Sequence, residues 1–366
     1  MDAGARPYRF YGAEISYFSA KARPAFRIKR VPMEEILPTP AAYRDVIRPR
    51  TGLAMIPTVV TPDDDTWQDS SDILDALDRR FPEPPLHAPT PIHRMIGLLL
   101  ELYADEFLIV PGLYWRWCFP ESVAKALADF ASASGDAASA RRFSDGVRGF
   151  TGMVGVTAAT GPVIEAHTRE LLEALEAHFA EHPWLLGGHP SLADCALMGP
   201  LYGHLYNDAV PGRLLREHAP RTCHWIERMN HPDPETFGDL VPDDAVPPTL
   251  RQLVILAARD TVPLMLDATR AFASWVDASP MREGELPRAV GTHATVLRGA
   301  AVERLTLPYS QWMVQRVVDR FAALPDRQRG AVEAALAGTG WEPLLAWRPR
   351  HRVERRPFKL YLAAAA

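Results

Sequence analysis

The chain has 366 residues, too many for one ordinary core, and its 47% hydrophobic and 23% charged residues exclude a disordered chain. A net charge of -5 gives no general attraction to nucleic acid or anionic membrane, and three scattered cysteines without a CxxC exclude a disulfide framework and a zinc ribbon. No apolar run reaches the length of a membrane span, and the opening MDAGARPYRFYGAEIS lacks the apolar centre of a secretory signal, so the expected location is the cytoplasm.

Residues 8–15 (YRFYGAEI) are aromatic-rich and read as a first strand. The pattern breaks at Ser16 to Ser19. Ser19 then precedes an amphipathic helix carrying Ala22, Phe26 and Ile28, in which Pro24 fits only the first turns. Residues 33–37 form a second strand, ended by Pro38 and Pro40, and residues 41–47 a short helix. A proline in the run Met55-Ile56-Pro57-Thr58-Val59-Val60 suits a strand start if the Ile56–Pro57 bond is cis and the edge is left open for a ligand. Trp67-Gln68 closes the sheet. Asp69-Ser70-Ser71-Asp72 opens a helix over 73–81, with Asp69 or Ser70 as its cap. Proline clusters at 82–91 and 232–248 read as boundaries.

The order β-α-β, helical connection, β-β-α is that of thioredoxin. The strings ISYFSAKARPAFRIKRVP, MIPTVV and QDSSDILDALDRRFP, in this order, resemble the N-terminal domain of glutathione transferases, bacterial members included. The resemblance implies an α/β thioredoxin-like N-terminal domain over 6–88, an all-α C-terminal domain over 91–232, and a further helical extension over 249–366. Glutathione is then the co-substrate, with no metal, and a homodimer is expected.

Glutathione carries two carboxylates, an amine and a thiol. Its backbone suits the open edge at Ile56 and Pro57, a small case of strand addition. By the resemblance, Ser70 holds the γ-glutamyl carboxylate at a helix N-terminus, with Asp69 near the amine. The thiol attacks as thiolate, and a hydroxyl donating to the sulfur favours that form. Serine-type relatives place this serine four residues before an arginine, as Ser19 stands before Arg23. Ser16 and Tyr17 are the alternatives, and Tyr8 is the counterpart in tyrosine-type relatives. Ser19 can equally be a helix cap without chemistry.

Beyond Pro91, helical periodicity dominates. WLLGGHPSLADCALMGPLYGHL resembles the buried central helix of the family, and Ser191 with Asp194 form its capping box, a structural role. By the same resemblance the wall for a hydrophobic electrophile draws on Tyr103, Phe107, Tyr114, Trp115 and Arg116, each of which can also be plain core; Arg116 suits an anionic substrate group. In the extension, 250–277, 302–324 and 332–336 read as helices. The basic tail WRPRHRVERRPFKLY is interrupted by Glu354 and reads as solvated or packed rather than nucleic-acid binding. His178 and His182 stand four apart with no third metal ligand in view. Two functions fit this pattern. One is a glutathione transferase-like enzyme performing conjugation, thiolytic cleavage, dehalogenation or isomerisation; the other is a non-catalytic binding or regulatory protein on the same fold.

Overall fold

A computed structural model describes residues 6–281 and 283–364. The chain gathers into two compact units. The first comprises Met1–Ala88, Trp115–Gly149 and Leu175–Leu240, and the second Pro89–Tyr114, Phe150–Ala174 and Val241–Ala366.

The first unit opens with β1 (Tyr8–Tyr11), α1 (Tyr17–Ile28) and β2 (Met33–Ile36). A helical connection follows: α2 (Pro40–Ala42), a π-helical turn Tyr43–Ile47, and α3 (Arg48–Thr51). Then come β3 (Thr58–Val60), β4 (Thr66–Gln68) and α4 (Ser70–Arg80). The strands form one mixed sheet in the order β2-β1-β3-β4, with β2 parallel to β1 and the other pairs antiparallel. This is the expected thioredoxin-like half. Alternation along β1 buries both faces. Phe10 and Tyr8 meet Phe26 of α1 at ring distances of 5.7 and 5.8 Å, while Tyr11 packs with Val60 and Ile47.

The start of α1 differs from expectation. The helix begins at Tyr17, with Ser16 as its cap, so Ser19 lies inside the first turn. Pro24 consequently sits mid-helix, not in the first turns, and withholds one backbone donor from α1. Proline's preference for helix starts favoured the later boundary.

The helical region continues with α5 (Pro91–Leu102), a π-helical turn Tyr103–Phe107, α6 (Ile109–Trp117), α7 (Pro120–Ser134), α8 (Ala137–Thr151) and α9 (Gly161–Phe179). It ends with α10 (Leu192–Met198), a π-helical segment Gly199–Tyr206, α11 (Ala209–His218) and α12 (Pro220–Asn230). Every residue of α10 is buried. Asp194, 0% exposed, accepts four hydrogen bonds: from the Ser191 N–H (2.9 Å) and hydroxyl (3.0 Å), the Leu185 N–H (3.1 Å) and the Trp225 indole (2.9 Å). The expected cap is thus also the knot of its neighbourhood.

The second unit contains α13 (Pro248–Ala278), β5 (Gly284–Glu285), β6 (Thr292–Leu297), β7 (Ala300–Leu305), α14 (Pro308–Ala322), α15 (Asp326–Leu336), α16 (Glu342–Ala346), β8 (Val353–Arg356) and β9 (Lys359–Leu362). The run 302–324 is therefore not one helix. Its first residues belong to a β6–β7 hairpin turning at Arg298 and Gly299, both at positive φ, and Pro308 starts α14. The basic tail folds as a β8–β9 hairpin whose Arg352 and Lys359 pair with Asp319 and Glu285, and whose Arg355 lies over Trp312. Within this unit α5 packs against α13, α14 and α15, so the extension covers the first helix after the sheet. No helix among the described residues is long and apolar enough to cross a membrane.

Candidate functional site

The pairing register defines one end of the sheet. Ile36, Tyr11, Thr58 and Gln68 stand in a row across all four strands. Chain direction then places four connections beyond this row: the loop from Tyr11 to Ser16, the segment leaving β2 after Ile36, the Ile56–Pro57 bond ahead of β3, and Asp69 at the head of α4. The Ile56–Pro57 bond is cis, as expected. Ile56 is half-buried and lies outside the β1–β3 ladder, which ends at the Tyr11–Thr58 pair.

The candidate hydroxyls differ in setting. Ser19 is 0% exposed, and its Oγ is turned under the loop, where the Ala13 N–H donates to it at 3.4 Å. Ser16 is half-buried at the helix cap, and its Oγ accepts the Ser19 N–H at 3.3 Å. Tyr17 is buried, its ring 5.1 Å from those of both Phe18 and His204. Tyr8 lies at the opposite end of β1, against Phe26, Trp67 and Phe81, and burial raises its phenol above the ordinary value.

At the head of α4, Asp69 adopts φ 80 and ψ 130, a backbone region that L-residues seldom occupy and that clusters at ligand sites. Its carboxylate accepts the Ser71 N–H at 3.0 Å, and Ser70 is the first residue of the helix, 3% exposed. Two buried cations brace this region, and the sequence singled out Arg23 only for its spacing from Ser19. Lys21 donates to the Ser71 hydroxyl at 2.9 Å, tying α1 to α4, and Arg23 grips both oxygens of Glu35 in β2 at 2.8 and 2.6 Å.

The residues expected to line an electrophile wall do not share one setting. Tyr103 and Phe107 belong to the second unit, fully or nearly fully buried and stacked at 5.7 Å. The Tyr103 hydroxyl meets His167 Nε2 at 2.7 Å, and His167 Nδ1 meets Asp260 at 2.8 Å. Burial holds the Tyr103 phenol well above its usual value and lowers the His167 imidazole. Tyr114, in the same unit, donates to Glu165 at 2.6 Å. Trp115 and Arg116 belong to the first unit. Trp115 stacks on Phe119 at 5.0 Å. Arg116, 2% exposed, gives Nε to both oxygens of Asp208 (3.0 and 2.9 Å), Nη1 to the Ile15 carbonyl (2.9 Å) and Nη2 to the Gly203 carbonyl (2.6 Å).

Residues 10–85 match the family model described as Glutathione S-transferase, N-terminal domain, and residues 164–233 that described as Glutathione S-transferase, C-terminal domain. The chain belongs to the glutathione S-transferase superfamily. No curated protein matches it. Similar solved structures include a glutathione S-transferase from Methylobacterium radiotolerans in complex with glutathione sulfonate, at 20% identity, covering 65% of this chain and 99% of that one, TM-score 0.39. Another is the beta-etherase LigF from Sphingobium sp. strain SYK-6, at 16% identity, with 68% and 98% covered and a TM-score of 0.44. A third is a glutathione transferase from Phanerochaete chrysosporium, at 14% identity, with 65% and 100% covered and a TM-score of 0.48. The sheet end described above falls inside the segment that matches the superfamily's N-terminal domain.

Proposed function

We propose that this superfamily member is a glutathione transferase-like enzyme that binds glutathione across the sheet end at Ser16, Ile56, Pro57, Asp69 and Ser70. The observation that carries the reading is the common row of Tyr11, Thr58 and Gln68, which sets a hydroxyl, an unladdered backbone and a helix N-terminus side by side. From β1 to β4 is two strand spacings, about 10 Å, the reach of roughly three extended residues. The γ-glutamyl carboxylate lies at the α4 N-terminus with Ser70, its amine faces Asp69, and the cysteinyl backbone pairs with Ile56.

Among the hydroxyls, Ser16 takes the sulfur. Its oxygen accepts the Ser19 N–H, and its own proton is left to donate to a thiolate at a helix N-terminus. A free thiol with a pKa of about 8.5 is only a few per cent ionised at neutral pH, so each unit of lowering raises the nucleophile about tenfold. The thiolate then attacks a hydrophobic electrophile in conjugation, thiolytic cleavage or isomerisation. Of the residues expected around that electrophile, Trp115 and Arg116 lie in the same unit as the proposed glutathione site. The reading includes a homodimer in the cytoplasm, where the free Cys118, Cys195 and Cys223 stay reduced.

Calorimetric titration with glutathione, joined to ultraviolet difference titration of the bound thiolate, tests this. Binding with a thiol pKa below the free value supports the enzyme. Binding without lowering favours a non-catalytic glutathione-binding protein, and absence of binding removes the reading.

A further inference from the structure

We propose that Arg116 is a positioning residue for the Ser16 hydroxyl, acting through the carbonyl of Ile15. The inference rests on the reading of Ser16 given above.

Arg116 holds three separate stretches of the first unit with one planar group. Its Nη1 grips the carbonyl of the residue immediately before Ser16, its Nη2 the carbonyl of Gly203, and its Nε both oxygens of Asp208. Asp208 is the cap residue of α11, so the guanidinium is anchored to a helix start. Gly203 is one of the points where the π-helical segment closely approaches α1. A Cβ there would stand 3.1 Å from the Tyr17 Cα, 3.1 Å from the Ala20 Cβ and 3.2 Å from the Ser16 carbonyl oxygen. Arg116 therefore ties the loop ahead of Ser16 to the surface on which α1 begins.

The loop has further ties, among them the Ala13 N–H to the Ser19 hydroxyl at 3.4 Å and the Tyr202 hydroxyl to the Glu14 carboxylate at 2.6 Å. The Gly12 N–H donates to the Ile36 carbonyl at 3.1 Å, and the Ser16 N–H closes a turn on the Ala13 carbonyl at 3.1 Å. Only Arg116 holds the Ile15 carbonyl among the hydrogen bonds of the described residues. A buried ion pair is a weak device for stability, since desolvation offsets most of its attraction. A guanidinium that satisfies three acceptors in fixed directions is a strong device for geometry. A hydroxyl that must meet a sulfur within hydrogen-bond reach needs that geometry, because a misplacement of about 1 Å can cost on the order of 100-fold.

The test follows the thiol of bound glutathione by ultraviolet difference titration, which needs no electrophile. Lysine at 116 keeps the charge beside Asp208 but lacks the planar fork of donors that spans three separated acceptors. Arg116→Lys is expected to raise the bound thiol pKa by about one unit while changing the glutathione Kd less than about threefold. The same substitution made on Ser16→Ala is expected to add nothing, because the hydroxyl it positions is gone. Asp208→Asn, which loosens the anchor and keeps the guanidinium, should move the titration the same way and stands in if Arg116→Lys fails to fold. A folded Arg116→Lys with an unchanged titration, or an equal further shift on Ser16→Ala, overturns the inference. So does loss of folding in both the Arg116 and Asp208 variants, which would mark the pair as structural alone. If Ser16→Ala itself leaves the titration unchanged, the assignment of Ser16 fails first, and that result is distinct from the others.

Discussion

The Ser19 N–H donates to the Ser16 hydroxyl at 3.3 Å across the first turn of α1, so two serines three residues apart divide two tasks. Ser16 caps the helix at a half-exposed position; Ser19 is sealed beneath the loop with the Ala13 N–H on its oxygen. Ser16→Ala is expected to return the bound thiol of glutathione to about its ordinary value of 8.5. Ser19→Ala is expected to leave that titration in place and lower stability by about 1 kcal/mol through the stranded Ala13 N–H. Thiolate absorbance against pH, and urea melts of both variants, read the two effects apart. A reversed pattern would reinstate Ser19.

Asp69 is held at φ 80, where a side chain is uncomfortable and glycine is not. Asp69→Gly removes a strained residue worth about 1–3 kcal/mol and loses a cap for which glycine is a fair substitute. The expected outcome is an unchanged or slightly higher melting temperature, with glutathione affinity falling by about tenfold from the lost carboxylate near the amine. A variant that binds glutathione as wild type does would remove Asp69 from the ligand site.

The Asp194 carboxylate serves four donors, none of which has solvent to fall back on. Asp194→Ala strands them together, and a loss of more than about 2 kcal/mol is expected in chemical denaturation. A variant as stable as wild type would show that these donors find other partners.

His178 is 0% exposed, with Nε2 donating to the Trp184 carbonyl at 3.2 Å. Burial lowers its imidazole from 6.5 to about 4. The unfolded chain takes up this proton near pH 6.5 and the folded chain only near pH 4. Stability is therefore lost as pH falls through that window, by on the order of 3 kcal/mol in total. His178→Gln should be markedly less sensitive between pH 7 and pH 4.5, measured as urea midpoints. Parallel curves for the two proteins would contradict the assignment.

The N-terminal half was legible because each landmark has a local cause. Asp69 is a good cap, the run Thr58-Val59-Val60 is β-rich, and a proline beside it at 57 leaves few backbone choices. The start of α1 was not legible, because Ser16 and Ser19 are equally good caps and Pro24 argued for the later one. What decides between them is tertiary: Gly203 and Arg116 lie far along the chain, and they hold the backbone just ahead of Tyr17. The β6–β7 hairpin was hidden for another reason. Its strand residues Val302 and Leu305 also fit the helical period that continues into α14, and only Arg298-Gly299 and Pro308 punctuate it. The ties of Arg116 to Ile15, Gly203 and Asp208 joined residues that no sequence spacing connects.

The second unit is woven from three stretches, with α5 lying against α13, α14 and α15. During synthesis, the fully buried Met95, Ile96, Leu99, Leu100 and Leu102 of α5 emerge long before their cover. Roughly 230 residues separate Leu102 from the end of α15, so at about 5–20 residues per second the interval is on the order of 10–50 s. For that time the nascent protein presents a greasy helix to its surroundings, a natural handhold for a ribosome-associated chaperone.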